Sequence, residues 1–188
     1  MDVVLTNDDT VLFLESKFSE YLNPTKTYNA SIAYDDYYKQ ILGANLSLGD
    51  ISISATNGKC LWTCPTGKHA YLEGLKQLIS HTLGICNTLA QQQPLKSWDV
   101  AEGNLSNKKH FILAEILFRF EDDTEPNGPF ASYAKYYPEL RDKLNAYIKR
   151  QELAPDKDFH IHNTILTYQD NFKGNINLLN KTISNFYF

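Results

Sequence analysis

The stretch that decides the fold is DVVLTNDDTVLFLESKFSEYL, residues 2–22. Two apolar runs flank the turn residues Asn7-Asp8-Asp9, which predicts strands over 2–6 and 10–16 joined as a hairpin. The second run, Val11-Leu12-Phe13-Leu14, ends abruptly in Glu15-Ser16-Lys17. A carboxylate and an ammonium at the end of a buried-looking strand are costly there. Either they lie past the sheet edge in water, or they are held in place to do chemistry.

Register arithmetic separates these possibilities. With Asp8-Asp9 as a two-residue turn, Thr6 faces Val11, Leu5 faces Leu12, Val4 faces Phe13, Val3 faces Leu14 and Asp2 faces Glu15. Directly opposite residues project to the same face of a sheet. Lys17, two residues on, shares that face if the strand continues. A turn at Asn7-Asp8 shifts the pairing by two and keeps the three groups together, whereas a three-residue loop puts Asp2 and Glu15 on opposite faces. Two carboxylates this close repel unless a cation lies between them. A hard divalent cation, Mg²⁺ or Mn²⁺, suits carboxylate oxygens and water. Lys17 beside it could orient an attacking water or stabilise charge on a phosphate, as in metal-assisted phosphodiester hydrolysis. The alternative is a hairpin with a charged, solvated end.

The rest of the chain alternates helices and strands. Residues 34–43 predict a short helix ending at Gly43. Residues 50–55 and 58–64 predict a strand pair joined through Thr56-Asn57-Gly58. Residues 66–85 form the clearest amphipathic helix, with Tyr71, Leu72, Leu75, Leu78, Ile79, Thr82, Leu83 and Cys86 on the 3.6-residue period. A long strand follows at 110–120, then a helix at 128–153 in which Pro138 predicts a break or kink. A strand at 159–169 and a helix at 175–186 close the chain. Interleaved helices and strands predict an α/β fold, three layers α/β/α around a central mixed sheet.

Composition narrows the class. The 188 residues suit a single domain, and 43% hydrophobic with 21% charged residues is ordinary for a globular protein. A net charge of −4 confines any nucleic-acid contact to a local patch. No run of about 18 apolar residues predicts a membrane span, and no basic, apolar leader precedes the first strand. Three cysteines, Cys60, Cys64 and Cys86, do not form a disulfide framework, and a reducing cytoplasm is the expected compartment.

The pattern Asp2, hairpin, Glu15-Ser16-Lys17 resembles the Asp–spacer–Glu-x-Lys signature of the PD-(D/E)XK nuclease superfamily, the restriction-endonuclease-like fold. That resemblance implies a Mg²⁺-dependent nuclease, with DNA the substrate ahead of RNA. It implies Asp2 and Glu15 as metal ligands, Ser16 as a ligand through its backbone carbonyl, and Lys17 as the catalytic lysine. The family core next places a helix over the hairpin and then a strand, the order of 66–85 and 110–120. Branches of the family use a helix glutamine near the site, which singles out Gln77. Glu73 and His81 lie on the same helix stripe. The chain departs from the family in three ways: no Pro precedes Asp2, residues 18–65 form a long insertion, and the family's first helix and strand do not precede the hairpin. The last departure implies missing upstream residues, or a core completed by a homodimer or another partner covering that edge. A non-catalytic binding module of the same fold, acting in a larger assembly, is the second expectation.

Other constellations remain open. Cys60 and Cys64 have metal-like spacing but need histidines from elsewhere for zinc. His160 and His162 share a strand face and could bind metal. Glu115 interrupts the apolar run at 111–118, either ion-paired with Arg119 or as a site acid. Candidate phosphate contacts are Lys68, Lys76, Lys108, Lys109, Arg141, Lys143, Lys149 and Arg150.

Overall fold

The structure, a computed structural model, describes residues 1–17, 20–90, 105–117, 128–153 and 155–164. Strands β1 (Val3–Thr6) and β2 (Thr10–Lys17) form the first hairpin. Their register is Thr6–Val11, Leu5–Leu12, Val4–Phe13 and Val3–Leu14, the register of the two-residue turn at Asp8-Asp9. The Asn7 side chain sets that turn by accepting the backbone N–H groups of Asp9 at 3.1 Å and Thr10 at 2.8 Å.

Residues 18–65 build more than the expected strand pair. They contain β3 (Thr27–Ser31), α1 (Asp35–Leu42), β4 (Ser47–Leu48), β5 (Ile51–Thr56) and β6 (Lys59–Thr63). The strands form a second, antiparallel sheet in the order β3-β6-β5-β4. Asn57 and Gly58, with φ of +50° and +75°, turn β5 into β6, as the Asn-Gly pair predicts. β3 escapes the sequence reading because Thr27-Tyr28-Asn29-Ala30-Ser31 carries one buried side chain and no apolar run.

α2 (Leu72–Ala90) leads to β7 (His110–Leu117), and α3 (Pro129–Arg150) to β8 (Asp158–Thr164). The first sheet has the order β1-β2-β7-β8, with β2–β7 and β7–β8 parallel. The fold is therefore α/β with an open mixed sheet. α2 and α3 both reach one face of this sheet, where Gln77 of α2 bonds Lys17 and Tyr133 of α3 bonds Glu115. On that face lie buried Val11, Phe13, Glu15 and Lys17 of β2, and Phe111, Leu113, Glu115 and Leu117 of β7. α2 is buried round most of its circumference, through Leu72, Leu75, Leu78, Ile79, Leu83 and Ile85, because the second sheet also packs toward it. Core residues of both sheets and all three helices join one hydrophobic cluster.

Two boundaries depart from the pattern for identifiable reasons. α2 begins at Leu72 rather than 66, because Ala70 is committed to a two-way backbone bridge with Thr25 (2.8 and 3.1 Å) and Gly67 turns the chain at φ +79°. α3 runs through Pro138 without a break, one of the two outcomes expected there. Tyr133, Tyr137, Leu140 and Leu144 are buried on either side of it, and tertiary packing outweighs the lost backbone hydrogen bond. The strand residues expected at 165–169 and the helix at 175–186 lie outside the described residues. Among those described, no helix is long and apolar enough to cross a membrane.

Candidate active site

Lys17 ends β2 with only 2% of its surface exposed. A lysine that deep needs partners, and it has two. Its Nζ lies 2.5 Å from Glu15 Oε1 and donates to Gln77 Oε1 at 2.6 Å. Glu15 and Lys17 are thus not beyond the sheet in water but inside the protein, where β2 meets α2. The other Glu15 oxygen, Oε2, is 3.2 Å from the Met1 α-amino nitrogen and 3.6 Å from His81 Nδ1. It is buried and accepts no hydrogen bond among the described residues. Burial pushes the Glu15 carboxyl up, but the charges of Lys17, His81 and the α-amino group outweigh it and hold the net value below the ordinary range. Burial dominates at His81 and pushes it down, against the pull of Glu15.

The hairpin brings Asp2 to this end of the sheet. Its backbone N–H bonds the Leu14 carbonyl at 3.0 Å, and its carboxylate accepts the Ser16 N–H at 2.7 Å. Gln77 and His81, one helical turn apart on α2, both face Glu15 and Lys17. Glu73, a turn earlier, does not join them; it is exposed and lies toward Tyr28, whose hydroxyl it helps burial to push up.

Glu115 is the acid whose place the sequence left undecided. It stands beside Glu15 in the β2–β7 register, on the same face and 2% exposed. Tyr133 of α3 donates its hydroxyl to Glu115 at 2.6 Å. Burial pushes the Glu115 carboxyl up to about 7, against the Tyr133 hydrogen bond and the Lys17 charge. Arg119, the other expected partner, lies outside the described residues. Gly74 makes room for Tyr133, since a Cβ there would sit 2.4 Å from the Tyr71 ring and 3.1 Å from the Tyr133 ring. The signal that could have found Tyr133 is weak, because it is one of 12 tyrosines in the sequence.

Mg²⁺ binds through one or two carboxylates plus water and substrate oxygens. Asp2, Glu15 and the Ser16 carbonyl offer hard oxygen donors of that kind, and Glu15 Oε2 already lies against the Met1 α-amino group. Among the described residues no group of three or more His, Cys, Asp or Glu is placed to hold a metal. Among the described residues the cluster is not a closed protein cage for a metal. It lies at the carboxyl ends of β2 and β7, where α2 and α3 begin. Open α/β sheets bind ligands at that edge.

The remaining candidates sort differently. Cys60, Cys64 and Cys86 are free and buried, and Cys64 donates to the Thr25 carbonyl at 3.7 Å. Burial pushes all three thiols up, which disfavours the zinc-binding thiolate. The expected phosphate contacts are mostly engaged elsewhere. Lys68 (2.7 Å), Lys135 (3.1 Å) and the Tyr136 hydroxyl (2.6 Å) hold Asp50. Lys108 binds the Asn7 carbonyl at the hairpin turn, roughly 20 Å along β2 from Lys17 at about 3.3 Å per residue, and the Lys109 backbone N–H binds Asp9 beside it. Arg141 pairs with Asp142, Lys143 with Glu139, and Arg150 donates to the Gln40 carbonyl. Lys149 is exposed. Lys76 is the one of the eight near the cluster; its ammonium stacks on the Tyr34 ring at 4.9 Å and helps lower His81.

Fold and site together define an open-sheet α/β protein with a buried carboxylate–lysine–glutamine cluster at the carboxyl edge of its parallel strands. No protein-family model matches the chain, and no match was found among curated proteins or solved structures.

Proposed function

We propose that this protein is a Mg²⁺- or Mn²⁺-dependent nuclease of the PD-(D/E)XK type, acting on DNA in a reducing cytoplasm. The observation that carries the reading is the placement of Lys17: a buried ammonium held by Glu15 and Gln77, with Asp2 brought to the same end by the hairpin. Burying a lysine at the end of a strand is costly to the fold, which makes a chemical role for it the better explanation. The three free, buried thiols fit a reducing compartment.

In this reading Asp2, Glu15 and the Ser16 carbonyl hold the cation. When bound, the cation lowers the pKa of its water and polarises a phosphodiester oxygen. Gln77 keeps the Lys17 ammonium in place when Glu15 turns to the cation. Lys17 orients the attacking water and faces the charge that develops on phosphate. His81 and Lys76 line the approach from α2. A homodimer, or another partner, covers the β1 edge, where Val3 and Leu5 are 46% and 53% exposed.

A second reading, a non-catalytic binding module, draws on a different observation. The Met1 α-amino group already sits against Glu15 Oε2, and Asp2 already serves the Ser16 N–H, so both carboxylates have internal uses. Calorimetric titration with Mg²⁺ and Mn²⁺, beside gel cleavage of plasmid and single-stranded DNA, decides between them. The nuclease reading expects Glu15→Gln to lose metal binding and cleavage, and Lys17→Met to lose cleavage by at least about a hundredfold while retaining the metal. Failure of the unmodified protein to bind either metal at millimolar concentration leaves the binding module.

A further inference from the structure

We propose that Asp158, His160 and His162 of β8 form a second metal site, specific for a borderline transition ion such as Zn²⁺ and independent of the carboxylate cluster. The three residues alternate along one strand, so they share a face. His160 aligns with Ile112 of β7 and His162 with Ala114, whereas Glu115 aligns with residue 163. The pair therefore lies on the sheet face opposite Glu15, Lys17 and Glu115.

The two ring nitrogens already meet in one hydrogen bond, whose proton a metal ion would replace. His160 Nε2 and His162 Nε2 converge to 2.7 Å, with the rings edge to face. On the far side of the first ring, His160 Nδ1 lies 3.5 Å from Asp158 Oδ2. A carboxylate at Nδ1 selects the tautomer that presents Nε2 to a metal and raises its basicity. His110 Nδ1 lies 4.0 Å from the same Asp158 oxygen. Two Zn–N bonds of about 2.0–2.1 Å in a tetrahedron place the nitrogens roughly 3.3 Å apart. The rings need open by only about 0.6 Å to receive the ion. Both are solvent-accessible, leaving the other two positions to water. This accounts for the absence, among the described residues, of a group of three direct ligands: the protein supplies two, and Asp158 acts through His160.

Imidazole nitrogens select Zn²⁺, Cu²⁺ or Ni²⁺ over Mg²⁺, so Mg²⁺ does not compete for this site.

The test is titration of the tag-free full chain with Zn²⁺ by calorimetry and with Co²⁺ by visible absorption, at pH 7.5. One equivalent is expected, with the absorption of a tetrahedral Co²⁺ centre without thiolate ligands. His160→Ala and His162→Ala should each abolish that step, and Asp158→Asn should weaken it about tenfold or more. Glu15→Gln should leave it unchanged, which separates this site from the nuclease reading. No binding of either ion at 0.1 mM, on the order of a hundredfold above micromolar affinity, overturns the proposal. So does a step that survives both histidine variants, or one that Glu15→Gln removes.

Discussion

Glu115→Gln tests the most heavily buried acid among the described residues. The substitution keeps the shape, and a glutamine oxygen can still accept the Tyr133 hydroxyl. It removes only the capacity to ionise. In the folded protein Glu115 titrates near 7, against an ordinary value of 4.5. At about 1.4 kcal/mol for each pH unit between them, the difference amounts to about 3 kcal/mol. The sign follows from the direction. Because the folded value is raised, the neutral carboxyl contributes fully below about pH 4.5. Its contribution falls as pH rises and is lost above about pH 7, where the folded state must carry a buried charge. Urea denaturation of the wild-type protein and Glu115→Gln at pH 5 and pH 8.5 measures this directly. Near pH 5 the two should be close in stability. At pH 8.5 the variant should have gained on the wild type by an amount on the order of 3 kcal/mol, with the denaturant slope unchanged. A stability difference that is the same at both pH values, within about 0.5 kcal/mol, would show that Glu115 is not buried as an acid, and would refute the reasoning.

Three further outcomes are expected. Lys17→Met and Lys17→Ala should destabilise the fold by about 3–5 kcal/mol at pH 7, read by thermal or urea denaturation, because Glu15 loses its closest cation; methionine, which refills the volume, should be the milder. Inserting one glycine between Asp8 and Asp9 should convert the turn to three residues and move Asp2 off the Glu15 face; Mg²⁺ titration should then show binding lost, while circular dichroism shows the fold retained. Pro138→Ala, at an exposed position inside α3, should raise stability by up to about 3 kcal/mol in urea, since the substitution restores a backbone donor; an unchanged midpoint would show that the helix already accommodates the ring without cost.

The hairpin was legible from the sequence because its determinants are local. Asn7 holds the turn with its own side chain, the two-residue count then sets every cross-strand pair, and period-two alternation assigns each side chain to a face. The same locality made Gln77 and His81 readable as neighbours on one helix stripe, and Asn57-Gly58 as a turn. Tertiary contacts decided the rest. The Thr25–Ala70 bridge delayed α2 by six residues, overriding the helical period of 66–71. Buried tyrosines and leucines carried α3 through a proline that by local rules ends a helix. Whether the Glu15–Lys17 end lay in water or inside depended on where α2 and α3 crossed the sheet, and no count along β2 contains that. Glu115 shows the limit most sharply. Its neighbours Glu15 and Tyr133 are 100 residues before it and 18 after it, brought together by a parallel strand register and a helix crossing. Such pairings are set by packing across the whole chain, not by any pattern within a segment.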